Sequence, residues 1–293
     1  MGGGSAVFFE TFPVPPVITI TDPADPRLAA YRDVRERDLV GREGCFIAEG
    51  EVVLRHLVAP GRHRPLSLLL AAKRVAALEY LWGGLPDDVP VYAAGQAVMD
   101  AVAGFPLHRG ILALGRRGEP VAPGDLLAGL GPRAVVVVAC GIGNHDNVGG
   151  IFRNAAAFGA DGVLLDSGCC DPLYRKATRV SVGATLRVPT ARLDAGADPV
   201  AVLERHGFTV LSLSPSGAET LSRLRRPDRV ALLLGSEGPG LPPAVLARTR
   251  TVRIPMAGGF DSLNVATTSG IVLHHLVCGL VCGLVCGPAS GEE

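Results

Sequence analysis

The sequence predicts an α/β protein of two units, the second built on a mostly parallel sheet. Three observations carry this. Short apolar runs alternate with amphipathic segments along most of the chain. One run, Ala134 to Cys140, is apolar at every position, as a strand buried on both faces must be. The length, 293 residues, corresponds to about two domains at roughly 150 residues each, ample for real hydrophobic cores.

Residues 1–19 are rich in Gly and Pro and are expected to form a flexible tail. Between Asp25 and Arg42 charges alternate densely, with Leu28, Tyr31, Val34 and Leu39 at helical spacing. That pattern suits a salt-bridged surface helix, or one that contacts RNA. A smaller α/β unit spans residues 20–115. Its strands are read at Phe46–Ala48, Pro65–Leu70, Val89–Ala93 and Gly110–Leu114. Its helices are read at Glu49–Leu57, Val75–Leu81 and Gln96–Ala103. Residues 116–132, rich in Gly and Pro, read as a linker.

The second unit covers residues 133–287, followed by a tail at 288–293. After the strand at Ala134–Cys140 comes a polar, glycine-rich loop to Asn147, then an amphipathic helix to Phe158. Strands are expected at Gly162–Leu165, Leu186–Pro189, Thr209–Leu213, Val230–Leu234 and Val252–Ile254. Helices are expected at Leu173–Ser181, Pro199–His206 and Pro242–Arg248, with a long closing helix from Val265. In such a sheet the binding sites lie at the carboxyl ends of the strands.

Composition excludes several classes. Lys+Arg and Asp+Glu number 28 each, which rules out a uniformly basic nucleic-acid binder but not a local basic patch. With 48% hydrophobic and 19% charged residues, the chain is not mainly disordered. Aromatics are only 5%, too few for recognition by rows of stacked rings. The seven cysteines include no CxxC zinc pattern. No secretory signal precedes them, so a cytoplasmic protein with free thiols and no bound metal is expected. Three of them belong to a Leu-Val-Cys-Gly repeat from Leu276 to Gly287, read as an extension of the final helix. The apolar run there is too short and too rich in glycine for a membrane span.

The unusual residues fall in three loops at strand ends. The first, Gly141-Ile-Gly-Asn-His-Asp-Asn147, opens a helix carrying Arg153, and its amides can hold an anion. The second is Gly235-Ser-Glu-Gly-Pro-Gly240, whose three glycines permit close backbone approach. The third runs from Pro255 to Asn264, and Asn264 suits the N-cap of the last helix. Asn147 could likewise be only a cap. The first loop partly imitates a dinucleotide fingerprint, but Asp146 stands where the third glycine is needed. Neither a Walker lysine nor a Gly-x-Ser-x-Gly elbow is present.

Together, in this order, the loops resemble the three motifs of the SpoU (TrmH-type) RNA ribose 2′-O-methyltransferases of the SPOUT class. The first motif resembles Asn147-x-Gly149-x-x-x-Arg153-x-Ala155, the second Leu234-Gly-Ser-Glu-Gly-Pro-Gly-Leu241. The third resembles Ile254-Pro-Met256 leading to Ser262-Leu-Asn-Val265, and Arg179-x-Ser181-x-Gly183-Ala184 matches a further segment. The resemblance covers residues 133–276. More loosely, Phe46-Ile-Ala-Glu-Gly50 and His108-Arg-Gly110 resemble a ribosomal-protein-like substrate-binding domain.

The resemblance implies a C-terminal trefoil knot, bound S-adenosylmethionine, an RNA substrate (rRNA or tRNA) and a homodimer with a shared active site. It assigns catalytic positions to Arg153, Asn147, Glu237 and Asn264. It assigns cofactor contacts to Gly235, Ile254, Leu263, Met256, Ser262, Leu234 and Gly240. In the family the arginine is proposed to help deprotonate the ribose hydroxyl, yet a guanidinium is a poor base, and phosphate binding is the alternative role for Arg153. His145 reads as a loop residue near the site. Two other readings compete: a catalytically silent RNA-binding relative, and a dinucleotide-dependent enzyme.

Overall fold

The computed structural model describes residues 15–32, 43–258, 260 and 262–285, with side chains of the last helix described through Val277. It divides into two compact units, residues 1–117 and 118–293.

The first unit holds a five-stranded mixed sheet in the order β1-β4-β3-β5-β2. The strands are β1 (Val17–Ile20), β2 (Cys45–Glu49), β3 (Arg64–Ala71), β4 (Val91–Ala94) and β5 (Ile111–Arg116). β1, β4 and β3 run parallel, while β5 is antiparallel to both β3 and β2. Helices α1 (Glu51–Val58) and α2 (Gln96–Ala103) accompany them. One core gathers Ile20, Leu28, Tyr31, Leu69, Met99 and Leu112. Within it the Tyr31 hydroxyl lies 2.7 Å from Ser67 Oγ and accepts from the Leu114 amide at 3.2 Å. Burial pushes this phenol up from its ordinary value.

Three expectations change here. Residues 17–19, read as tail, belong to a strand that pairs with β4. The segment read as a helix at Val75–Leu81 is a 3-10 helix, Ala76–Gly84. Of the charged stretch from Asp25 to Arg42, residues 33–42 lie outside the described residues, and Pro26–Tyr31 is a 3-10 helix.

The second unit contains seven parallel strands in the order β10-β12-β9-β11-β6-β7-β8. These are β6 (Ala134–Ala139), β7 (Gly162–Leu165), β8 (Thr190–Arg192), β9 (Thr209–Leu213), β10 (Glu219–Thr220), β11 (Arg229–Leu234) and β12 (Arg250–Arg253). The helices are α3 (Pro123–Ala128), α4 (His145–Ala157), α5 (Arg175–Val180), α6 (Pro199–Arg205), α7 (Pro243–Leu246) and α8 (Val265–Val285). The central strands are buried on both faces because alternate side chains enter two different cores. Val135, Val137 and Ala139 pack with Val148, Phe152 and Leu273 of α4 and α8. Ala134, Val136 and Val138 pack with Leu127, Val200 and Leu203 of α3 and α6.

The strand expected at Leu186–Pro189 is displaced to Thr190–Arg192, and Ala184–Leu186 forms a 3-10 turn instead. The cause lies just upstream. Helix α5 ends in a Schellman motif, with the Gly183 amide bonding Thr178 O at 2.9 Å and the Val182 amide bonding Arg179 O at 3.1 Å. The Leu186 amide then bonds Gly183 O and the Val188 amide bonds Ala184 O, each at 3.0 Å, so these residues are spent in the turn before the strand starts. Residues 123–128, within the stretch read as linker, form α3, whose Leu126 and Leu127 are buried. Its Pro123 occupies the first turn, where the missing amide hydrogen costs nothing. Helix α8 runs through the cysteine repeat as far as Val285; Cys286 lies outside the described residues. Among the described residues no helix is long and apolar enough to cross a membrane.

Candidate active site

Strands β9, β11 and β12 are parallel, so their carboxyl ends open on the same edge of the sheet. There they frame a cleft of about 450 Å³. Its apolar floor comes from Leu213, Leu234, Val252 and Ile254. Gly235, Gly240, Met256, Ser262 and Leu263 also line it, with Glu237 and Asn264 among its polar groups. The seven residues that the resemblance assigns to cofactor contact all lie on this one cleft.

The second loop is closed on itself. Gly240 N donates to Ser236 O at 3.1 Å, and a side chain at Gly235 would come within 2.5 Å of the Gly240 and Leu241 backbone. Only glycine fits there. Gly238 and Gly240 turn the loop at φ of 86° and 67°, a region open to glycine. Glu237 therefore projects from the apex of a tight six-residue turn.

A chain of hydrogen bonds links the three loops. Asn264 Oδ1 accepts from the Ala266 and Thr267 amides at 2.9 and 3.2 Å, which caps α8. Asn264 Nδ2 donates to Asn147 Oδ1 at 2.8 Å, and Asn147 Nδ2 donates to Glu237 Oε1 at 2.6 Å. Asn147 is not the helix cap. That position belongs to Asn144, whose side chain accepts from the Asp146 amide at 2.8 Å. The helix starts earlier than the glycine-rich sequence suggests, and its first turn carries the buried Asn147 toward the other loops.

Arg153 stands apart. It lies six residues beyond Asn147, about 120° around the helix at 3.6 residues per turn. It is exposed, does not line the cleft of its own chain, and has no ion-pair or hydrogen-bond partner among the described residues. Asp146, where a dinucleotide fingerprint needs glycine, sits in the first helical turn paired with Lys176 at 2.7 Å. The His145 ring packs edge-on against Tyr174, with centroids 4.4 Å apart.

Several supporting residues escape motif reading. Asn154 is seven residues from Asn147, hence on the same helix face. It donates to Ala266 O at 2.6 Å and to Ser269 Oγ at 2.9 Å, fastening α4 to α8. Asp166 accepts from the Gly141 amide at 2.9 Å and fixes the start of the first loop. Beneath it, burial pushes the Cys140 and Cys169 thiols up to about 12, so at neutral pH both are protonated packing groups. The Ser181-x-Gly183 segment is a helix stop: Ser181 Oγ, buried, donates to Thr178 O at 3.0 Å.

Comparison with known proteins bears on this arrangement. The SpoU rRNA methylase family matches residues 134–274, which include all three loops. An uncharacterized tRNA/rRNA methyltransferase of Mycobacterium tuberculosis (strain ATCC 25618 / H37Rv) is 40% identical over 265 residues, covering 87% of this chain and 90% of its own. Among solved structures, an AdoMet-bound rRNA methyltransferase from Sinorhizobium meliloti superposes with a TM-score of 0.74 at 23% identity, covering 90% of this chain and 98% of its own. An RNA 2′-O ribose methyltransferase does so at 0.73 and 24%, covering 90% and 100%. The extent of the mycobacterial match, and the family match across the three loops, lead to one conclusion: the chain belongs to the SpoU rRNA methylase family.

Proposed function

We propose that this chain is an S-adenosylmethionine-dependent RNA methyltransferase that methylates a ribose 2′-hydroxyl of rRNA or tRNA. The observation that carries the proposal is the cleft at the ends of β9, β11 and β12, bordered by the Asn264–Asn147–Glu237 chain. Its size suits a nucleoside-sized ligand. Leu234 and Ile254 offer apolar faces to an adenine ring, and Gly235 lets the second loop close tightly beside them, since a side chain there would collide with the Gly240 and Leu241 backbone. Leu263, Met256, Ser262 and Gly240 complete the walls. The cofactor supplies an electrophilic methyl group on a sulfonium; the protein's part is to hold it, orient the ribose and handle one proton. The name of the 2′-O ribose methyltransferase with this fold supports the ribose as acceptor.

The same proposal extends to a homodimer, a trefoil knot and a cytoplasmic setting. Arg153 is exposed and does not line its own cleft, so a second copy is the natural recipient of its guanidinium, which would grip an RNA phosphate. The first unit, residues 20–115, is proposed to bind the RNA.

Calorimetric titration with S-adenosylmethionine tests the cofactor assignment. Saturable binding by wild type, at one site per chain, and at least about tenfold weaker binding by Asn264→Ala, are expected. A folded wild type that binds nothing, even with RNA added, would instead be a silent relative.

A further inference from the structure

The polarity of the hydrogen-bond chain is fixed from one end. Asn264 Oδ1 is committed to two α8 amides, so only its Nδ2 can face Asn147. Asn147 must then accept with Oδ1 and donate with Nδ2, which leaves Glu237 Oε1 as the terminal acceptor. Two side chains in sequence, anchored by two α8 amides, thus hold one carboxylate oxygen at the cleft. The other oxygen, Oε2, has no hydrogen bond or ion pair among the described residues.

We propose that Glu237 takes the proton of the attacking ribose hydroxyl, at Oε2. This rests on the methyltransferase reading above. As the 2′-oxygen forms its bond to the methyl carbon, the S–C bond breaks with its electron pair remaining on sulfur. The hydroxyl proton, made acidic as the O–C bond forms, passes to Oε2 and afterwards to water. Arg153 is the wrong group for that task. A guanidinium carries only donors at working pH. Phosphate binding is the role its chemistry suits.

The tight turn and the bond from Asn147 together hold the exposed Glu237 carboxylate at the cleft. That is the positional precision proton transfer needs. Few other ionisable groups share the surroundings. His145 packs on Tyr174 and Asp146 pairs with Lys176, and neither hydrogen-bonds Glu237 among the described residues. Ser214 to Ala218, after β9, include no ionisable side chain, nor do the described residues from Ile254 to Asn264; Asp261 lies outside the described set.

The variant Glu237→Gln tests this, because its Oε1 can still accept from Asn147 while its amide nitrogen cannot take a proton. Single-turnover methylation is measured across the acid range on an RNA that wild type methylates, alongside calorimetric affinity for S-adenosylhomocysteine. Expected are a rate at least about 100-fold lower, loss of the acid limb seen in wild type, partial recovery in Glu237→Asp, and affinity within about threefold of wild type. Three results would each overturn the inference. They are a near-wild-type rate, an unchanged acid limb, or an affinity loss of about tenfold or more that makes Glu237 a cofactor-holding group. If wild type itself places no methyl group on any RNA, the methyltransferase reading falls and takes this inference with it.

Discussion

At Asn264 the two ends of one amide are committed in opposite directions. Its oxygen caps α8 and its nitrogen reaches Asn147, so a single residue both starts a helix and orders the loop chain at the cleft. A structural cap alone would be served by Ser, Thr or Asp as well; the donor is what requires Asn. Val182 shows the opposite case, a residue in a place suited to another. It occupies the left-handed C′ position of the α5 stop at φ 56°, where a β-branched side chain is strained. The left-handed conformation costs an L-residue about 1–2 kcal/mol, while glycine loses about 0.5–1 kcal/mol in chain entropy. Val182→Gly is therefore expected to raise stability slightly, by up to about 1 kcal/mol, in a denaturant titration. A loss of more than about 1 kcal/mol would mean that packing of the half-buried side chain outweighs the strain.

Among the elements, α4 decides the geometry of the site because it is clamped on two sides. A side chain at Gly149 would come within 2.7 Å of Ala177 O on α5, and one at Gly150 within 2.6 Å of Ala266 Cβ on α8. Gly149→Ala is expected to cost about 1–3 kcal/mol, read from the melting transition. It should also weaken S-adenosylmethionine binding, since the shift of α4 carries Asn147 with it. An unchanged melting temperature would show that the α4–α5 contact has slack.

Strands β6 and β11 are legible because uniform apolarity is what burial on both faces demands. The three loops are legible as a set, through glycines and short polar side chains at strand ends. Less visible is β1, four residues beside a Pro-rich stretch, which pairs in parallel with β4 at the sheet edge. Strand β10, two residues long, has too little pattern to declare itself. Asn144 and Asn147 look equivalent in sequence; only the helix start tells the cap from the site residue. Spacing alone sets Arg153 about 120° around the helix from Asn147; that it does not line the cleft depends also on which face α4 buries.

At the scale of the whole molecule, the second unit contains the cleft and each of the three loops, and under the proposed dimer the exposed Arg153 would serve a second chain. Arg153→Ala and Asn264→Ala should each be nearly inactive as homodimers. Co-expressed, they form mixed dimers in which one cleft has both an intact loop chain and an intact arginine from its neighbour. About a quarter of wild-type activity should return if the chains pair at random in a two-fold dimer. No recovery would mean that each chain's arginine serves its own cleft, or that the chains act alone. The methyl acceptor is tested most directly by incubating wild type with total RNA and methyl-labelled S-adenosylmethionine, then digesting the RNA to nucleosides. The expected result is label on ribose, in a 2′-O-methylated nucleoside. Label confined to a base would contradict the assignment of the site.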